Sequence, residues 1–361
     1  MTKFTCVGCG NEYPEEGLPY LCPLCGNNFT ITDLAYNPKE KLVLPGIWAY
    51  KNLMGISNNP VCYLGEGRTA LVKREQSGTQ FFAKLESLNP SGSFKDRNSA
   101  AVTSFLKSRG IQNVVEDSSG NAGASLALYS AGFGIKSQIF IPAGTVGPKV
   151  DQIIASGASV QSVLGPRENA HRAVLAELGH RNVVYASHAM LPFGLAAYAT
   201  IAFEIFEQLG ELPTSVYCPI GHGSLFYGIL LGFKAISEHL GSDTRPRMIG
   251  VQPDRCSPLV ATWEKRPFSP CFLSSIAEGA MVENPVRGNE ILRELKTGWD
   301  DLLSIPEEQI IPAQIELARM GIYVEPTSAM VFSALKMKTT YRDGINVLVF
   351  SGNGLKYTIN K

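Results

Sequence analysis

One lysine stands among small, flexible residues in the stretch Asn89-Pro-Ser-Gly-Ser-Phe-Lys-Asp-Arg-Asn98. A strand pattern at Gln80–Leu85 comes before it and a helical pattern after it, so Lys95 opens a helix. The positive end of a helix dipole disfavours a positive charge there. A lysine released from its charge is a nucleophilic amine that forms imines with aldehydes. The plain alternative is that Lys95, Asp96 and Arg97 are a solvated first turn. Ser91 and Ser93 add hydroxyls beside the lysine.

Three further loops are rich in Gly, Ser and Asn: Ser118-Ser-Gly-Asn-Ala-Gly123, Gly221-His-Gly-Ser-Leu225 and Ser351-Gly-Asn-Gly354. Gly221–Leu225 follows the apolar run Val216–Ile220 and leads into a helix through Ile229–Lys234. Glycines let a backbone approach an anion, and free N–H groups at a helix start supply donors. The loop lacks the Gly-Lys-Ser/Thr ending of a nucleotide phosphate loop, and G-x-G-x-x-G does not occur, so a single phosphate is the better match. A plain glycine turn is the alternative. Ser118–Asn121 precedes a helix at Ala122–Tyr129 and suits a carboxylate, although Ser and Asn are also ordinary helix caps. An imine lysine, a phosphate cradle and a carboxylate loop together describe a pyridoxal phosphate site acting on an amino acid.

Cys6, Cys9, Cys22 and Cys25 form two C-x2-C pairs, while Cys62, Cys218, Cys256 and Cys271 are scattered. Two such knuckles surround one tetrahedral zinc, and four thiolates leave no open position for substrate, so the expected role is structural. Disulfides and a metal-free ribbon are the alternatives; a cytoplasmic chain argues against the former.

These loops need a scaffold, and the pattern supplies one. Strands are expected at Gln80–Leu85, Asn113–Glu116, Ser137–Ile141, Ser159–Leu164, Asn182–Ala186, Ser215–Ile220, Met248–Gln252 and Asn346–Phe350. Helices are expected at Val146–Ser156, Glu168–Leu178, Thr200–Leu209 and Gln309–Met320. The alternation argues for α/β layers around mostly parallel sheets, with ligands at the carboxyl ends of strands. The chain has 361 residues, 32 basic and 32 acidic, and 45% hydrophobic. No global positive field for nucleic acid or membrane exists. The longest apolar stretches, such as Phe226–Phe233, fall far short of a span. The amino terminus lacks an apolar export signal, so a cytoplasmic protein is expected.

Asn89–Arg97 resembles the lysine motif of threonine synthases and related fold-type II pyridoxal phosphate enzymes of the tryptophan synthase β family. The likeness extends over nearly the whole chain, through Gly65-Glu-Gly-Arg-Thr69, the 118–123 and 221–225 loops, Ala277-Glu-Gly279, Glu325-Pro-Thr-Ser-Ala329 and Ser351–Lys356. The paired cysteines resemble the amino terminus of many threonine synthases. The resemblance implies two three-layer α/β domains behind a zinc-ribbon-like segment at 1–38. The large cofactor domain would be 39–95 with 205–361, the small domain 96–204, and the assembly a homodimer.

By position, the resemblance implies that Lys95 holds the cofactor and shuttles the Cα proton, and that Asn121 bonds the ring hydroxyl. Gly221, His222, Gly223, Ser224 and Leu225 would bind the phosphate, Glu325 would lie near the ring, and Ser351 would face the pyridine nitrogen. Ser91, Ser118, Ser119 and Gly120 would serve the substrate, the last three gripping its carboxylate. A neutral hydroxyl at 351 cannot hold the ring nitrogen protonated, which favours elimination and replacement over transamination or racemisation. The implied reaction is that of threonine synthase, from O-phosphohomoserine to threonine. One segment departs from the family: where threonine synthases carry a polar phosphate-binding run, this chain has His188–Thr200, with Gly194, Ala196, Ala197 and Ala199 in place of Arg, Glu, Gly and Lys. A serine or threonine dehydratase, or a β-replacement enzyme of the cysteate-synthase kind, is therefore the alternative. A silent relative that binds cofactor or amino acid is the non-enzyme alternative, and intact Lys95, Asn121 and Ser351 argue against it.

Overall fold

The computed structural model describes residues 2–56, 58–76, 78–178, 183–269, 273–337 and 344–357. Asn182, expected to start a strand, and Cys271 lie outside the described residues. In chain order the first elements are β1 (Lys3–Cys6), β2 (Phe29–Thr32), β3 (Leu71–Gln76), β4 (Thr79–Lys84) and α1 (Lys95–Ser108). Then come β5 (Asn113–Glu116), α2 (Asn121–Gly132), β6 (Lys136–Pro142), α3 (Pro148–Ala155), β7 (Ser159–Val163) and α4 (Arg167–Glu177). The middle of the chain adds β8 (Val184–Tyr185), α5 (Phe193–Leu209), β9 (Ser215–Pro219), α6 (Ser224–His239) and β10 (Arg247–Pro253). The rest comprises α7 (Pro258–Trp263), α8 (Gly288–Glu294), β11 (Asp301–Ile305), α9 (Glu307–Arg319), α10 (Pro326–Met337) and β12 (Asn346–Val349).

Contacts divide the chain into two units. One comprises the amino-terminal segment up to Gly67 together with Asn89–Ala197; the other comprises Arg68–Leu88 and Tyr198–Tyr357. The first unit carries a four-stranded parallel sheet in the order β7-β6-β5-β8. It also carries the antiparallel pair β1-β2, in which Cys6 lies opposite Phe29. Cys6, Cys22 and Phe29 form a small apolar cluster with Tyr13 against it.

The second unit is a six-stranded sheet, β11-β10-β9-β12-β4-β3, parallel throughout except for β3. Its central strands β9 and β12 are buried at every residue, as helix-covered parallel strands require. Strand β3 breaks the parallel rule because it is half of a hairpin with β4. Its Leu-Val-Lys-Arg-Glu-Gln sequence has the alternating exposure of an edge, too polar to read as a strand from pattern alone. Among the described residues, no helix is long and apolar enough to cross a membrane.

Helix α5 starts at Phe193, not near Thr200. The early turns, Phe-Gly-Leu-Ala-Ala-Tyr-Ala, are small and apolar, and Ala196, Ala197 and Ala199 are essentially inaccessible. A helix that is apolar all round is a buried helix, and the amphipathic period that marks a surface helix is absent from it.

Candidate active site

In the first unit, Lys95 is the first residue of α1 and half-buried, with its Nζ 4.7 Å from the centre of the Phe94 ring. A tight turn delivers it: the Gly92 N–H donates to the Asn89 carbonyl at 2.7 Å, and Gly92 has φ +84°, the left-handed region that favours glycine. The Asn89 side chain accepts from the Gly67 N–H at 3.0 Å, so the Gly65-Glu-Gly67 stretch abuts the lysine loop. The solvated-turn alternative fails, because Asp96 and Arg97 are fully buried.

Asp96 ties this turn down. Its carboxylate accepts from the Ser91 N–H at 2.6 Å, the Ser91 hydroxyl at 2.5 Å and the Ser125 hydroxyl at 2.5 Å. Ser125 belongs to α2, so one buried carboxylate ties the lysine loop to the helix that begins at Asn121. Charge-assisted bonds of this kind are short and strong. Sequence reading missed Asp96 and Ser125 because they lie 29 positions apart.

Helix α2 is introduced by Gly120, whose side-chain-free position provides no capping bond. The loop folds back so closely that a Cβ on Gly123 would lie 1.8 Å from the Ser118 carbonyl oxygen. The Gly120 N–H points to the Ser118 hydroxyl at 3.3 Å. First-turn N–H groups without a side-chain cap are donors for an external carboxylate. Ser91, Lys95, Ser118, Ser119, Gly120 and Asn121 are thus brought into one tied assembly.

Beside this loop lies a set of ionisable groups, buried except for the partly exposed His171. Glu116 ends β5, and its carboxyl accepts from the Asp117 and His188 backbone N–H groups, both at 3.1 Å, with His188 Nδ1 also 3.1 Å away. Asp117 accepts from the Tyr185 hydroxyl at 2.7 Å and lies 3.1 Å from His171 Nδ1. Burial and the neighbouring Asp117 charge push the Glu116 carboxyl well above the usual range. Burial also raises Asp117, but its hydrogen bonds with His171 and Glu116 outweigh that and hold it below the usual carboxylate range. The Asp117 hydrogen bond raises His171 above its ordinary 6.5.

In the second unit, the loops after β9 and β12 leave the carboxyl ends of adjacent parallel strands, with Val347 beside Val216. Gly223 has φ +95° and starts α6 without a side-chain cap. A Cβ on Gly221 would lie 2.6 Å from the Gly279 carbonyl oxygen. The loop is further fixed by the Arg287 N–H, which donates to the His222 carbonyl at 2.9 Å. Gly221, His222, Gly223, Ser224 and Leu225 therefore form a compact cradle of backbone donors at a helix start, which fits a phosphate.

Ser351 sits beside that cradle in the strand order, with its hydroxyl 2.9 Å from Ser328 of α10. Ser328 also accepts from the Gly352 N–H at 2.9 Å, and the Glu325 N–H donates to the Gly352 carbonyl at 3.0 Å. The Glu325 carboxylate lies over Gly352, where a Cβ would meet its Oε1 at 2.3 Å. Ser328 was not among the expected residues, although it lies inside the Glu325–Ala329 motif.

The four thiols come together in the first unit: Cys6 Sγ lies 3.3 Å from Cys25 Sγ, and Cys9 Sγ lies 3.7 Å from Cys22 Sγ. All four are within 4.8 Å of one another, a spacing that suits a metal ion's tetrahedral shell.

The family model described as "Pyridoxal-phosphate dependent enzyme" matches residues 63–352. A threonine synthase of Methanosarcina acetivorans is 30% identical over 385 positions, covering 99% of this chain and 92% of its own. That of Methanocaldococcus jannaschii is 31% identical, covering 97% and 92%. Among solved structures, a threonine deaminase from T.th. superposes with a TM-score of 0.67 at 23% identity, covering 87% of this chain and 98% of its own. O-ureido-L-serine synthase superposes with a TM-score of 0.67 at 19% identity, covering 81% and 90%. At these identities the two structures establish the shared fold, that of fold-type II enzymes. The chain belongs to the pyridoxal-phosphate dependent enzyme family.

Proposed function

We propose that the protein eliminates or replaces a group on an amino-acid side chain, with threonine synthesis from O-phosphohomoserine the nearest activity. The observation that carries this is the Asp96 tie, which joins the Lys95 turn to the α2 start bearing Ser118–Asn121. Pyridoxal phosphate supplies an aldehyde that bonds to an amine and a ring that draws electrons from the substrate Cα. Lys95 is the residue for that bond, and it takes and returns the Cα proton. Ser118, Ser119 and Gly120 hold the substrate carboxylate, with Ser91 nearby. Asn121 donates to the ring hydroxyl oxygen, and Gly221–Leu225 donate to the phosphate. Ser351 meets the ring nitrogen as a neutral group, and Glu325 lies near the ring. A structural zinc on Cys6, Cys9, Cys22 and Cys25, a homodimer and a cytoplasmic location belong to the same reading.

A second reading has its own observation. Gly194, Ala196, Ala197 and Ala199 contribute no cation or hydrogen-bonding side chain, and the three alanines are buried. A substrate without a phosphate fits them better, which favours a serine or threonine dehydratase or a cysteate-synthase-like β-replacement.

The test is to load purified protein with pyridoxal phosphate and follow its visible absorbance. Lys95→Ala is expected to lose the lysine-bound spectrum and all turnover. A wild-type protein that takes up no cofactor sinks both readings. Loaded protein is then given O-phosphohomoserine, L-serine, O-phosphoserine and L-threonine, with phosphate and keto acid assayed. Phosphate release with threonine formation rejects the second reading; keto acid from serine or threonine alone rejects the first.

A further inference from the structure

Asp117 stands one residue before the loop to which the substrate carboxylate is assigned, and it is buried to within 8%. It meets three elements. Its Oδ1 accepts from Tyr185 of β8, its Oδ2 faces His171 Nδ1 of α4, and its own N–H is held by Glu116 at the end of β5. The peptide from 116 to 124 is then clamped at both ends, because the Ser118 carbonyl packs against Gly123. A carboxylate so close to an anion-binding loop opposes a second anion, and in a poorly solvated setting that opposition is not screened away.

The geometry points to Asp117 as a positioning residue for the Ser118–Gly120 carboxylate grip, with the proton on His171 offsetting its charge. Substrate affinity is therefore coupled to a histidine that touches neither substrate nor cofactor. This rests on the reading of Ser118–Gly120 as the carboxylate grip.

The groups around His171 set the direction. On α4 itself, Glu168 favours its protonated form and Arg167 opposes it. From β8 comes Tyr185, whose hydroxyl is 3.3 Å from Nδ1. Helix α4 packs on β6, whose one charged residue is Lys136, and on β7, which has none. Beyond Asp117 lies the Glu116–His188 pair at 3.1 Å, in which burial pushes the Glu116 carboxyl up and charge on His188 helps to lower Asp117. The raised His171 gives an attraction complete below pH 6.5 and lost as pH rises through its folded value. The lowered Asp117 gives one present above the usual carboxylate range and lost as pH falls through its own folded value. The Asp117–His171 attraction is complete between these limits, and the grip weakens on the alkaline side as the histidine loses the proton that offsets Asp117.

The experiment measures KM and kcat against pH for the cofactor-loaded enzyme and for His171→Gln, using whichever of O-phosphohomoserine, L-serine, O-phosphoserine and L-threonine is turned over. Glutamine keeps a hydrogen bond to Asp117 and removes the titration. In the parent, KM is expected to rise several-fold across the His171 titration while kcat holds. In His171→Gln, KM is expected to stay high and flat over that range, with kcat within about twofold, as for lost uniform binding. An alkaline rise in KM that survives unchanged in His171→Gln overturns the proposal, and so does an effect confined to kcat. If the loaded protein turns over none of O-phosphohomoserine, L-serine, O-phosphoserine and L-threonine, the functional reading fails on its own. The positioning claim is then decided by amide exchange of residues 118–124, corrected for intrinsic rates. Protection must fall above the His171 titration in the parent and not in His171→Gln; equal pH dependence in both rejects it.

Discussion

Gly223 shows how one atom decides the shape of the 221–225 loop. Its φ of +95° strains any L side chain, and a Cβ would lie 2.6 Å from Ile291 Cδ1 and 3.0 Å from Arg287 Cβ. Gly223→Ala is expected to cost about 1–3 kcal/mol of stability and to weaken pyridoxal phosphate binding, because the donors after it are displaced. Thermal denaturation and cofactor titration of the apoprotein check this; unchanged affinity would remove Gly221–Leu225 from the phosphate site. Ser351 is governed differently. Its hydroxyl is oriented by Ser328, which also satisfies the Gly352 N–H, so a neighbour fixes the group assigned to the ring nitrogen.

At the scale of elements, α1 and α2 are held by a buried carboxylate instead of apolar contact alone. Asp96→Asn keeps the shape but replaces the charge and turns one acceptor into a donor facing hydroxyls. The expected loss is about 1.5–3 kcal/mol, the range for hydrogen bonds to charged groups. A double-mutant cycle with Ser125→Ala, read by denaturant melts, is expected to give clear non-additivity. Strict additivity would mean that the two helices are not coupled through this carboxylate. The Lys84–Glu204 ion pair does a comparable job in the second unit. Its 2.7 Å contact is fully buried and joined by the Thr69 carbonyl, fastening β4 to α5.

At the scale of the whole molecule, the cysteine knuckles test whether a bound metal stabilises the first unit. Tyr13 of that segment packs edge-on against Phe29 and Phe193 at 4.6 and 5.0 Å, and Phe193 stacks on Phe105 of α1. Cys22→Ser is expected to lose zinc and lower the melting temperature, since metal binding free energy is folding free energy. Metal retained at full stoichiometry in that variant would exclude Cys22 as a ligand.

The parts of this protein that are legible in its sequence are those that chemistry or backbone geometry restricts to one residue type. Only a lysine forms the imine, so Lys95 stands out. Left-handed and close-approach positions call for glycine, so the 118–123 and 221–225 loops stand out beside it. Helix-covered parallel strands carry runs of buried apolar residues, which marked β9 and β12. Four cysteines in two C-x2-C pairs do come together, their Sγ atoms within 4.8 Å of one another. Tertiary structure alone decided which polar groups these features lean on. Asp96 and Arg97 are buried where a solvated first turn was the alternative, and α2 brings Ser125 back onto Asp96. Asp117 finds His171 and Tyr185 54 and 68 positions away, and no local period encodes such a pairing. The first turns of α5 carry no amphipathic signal because every side of them is covered. Residue type fixes what a group can do, but burial and distant partners fix the charge and direction in which it does it.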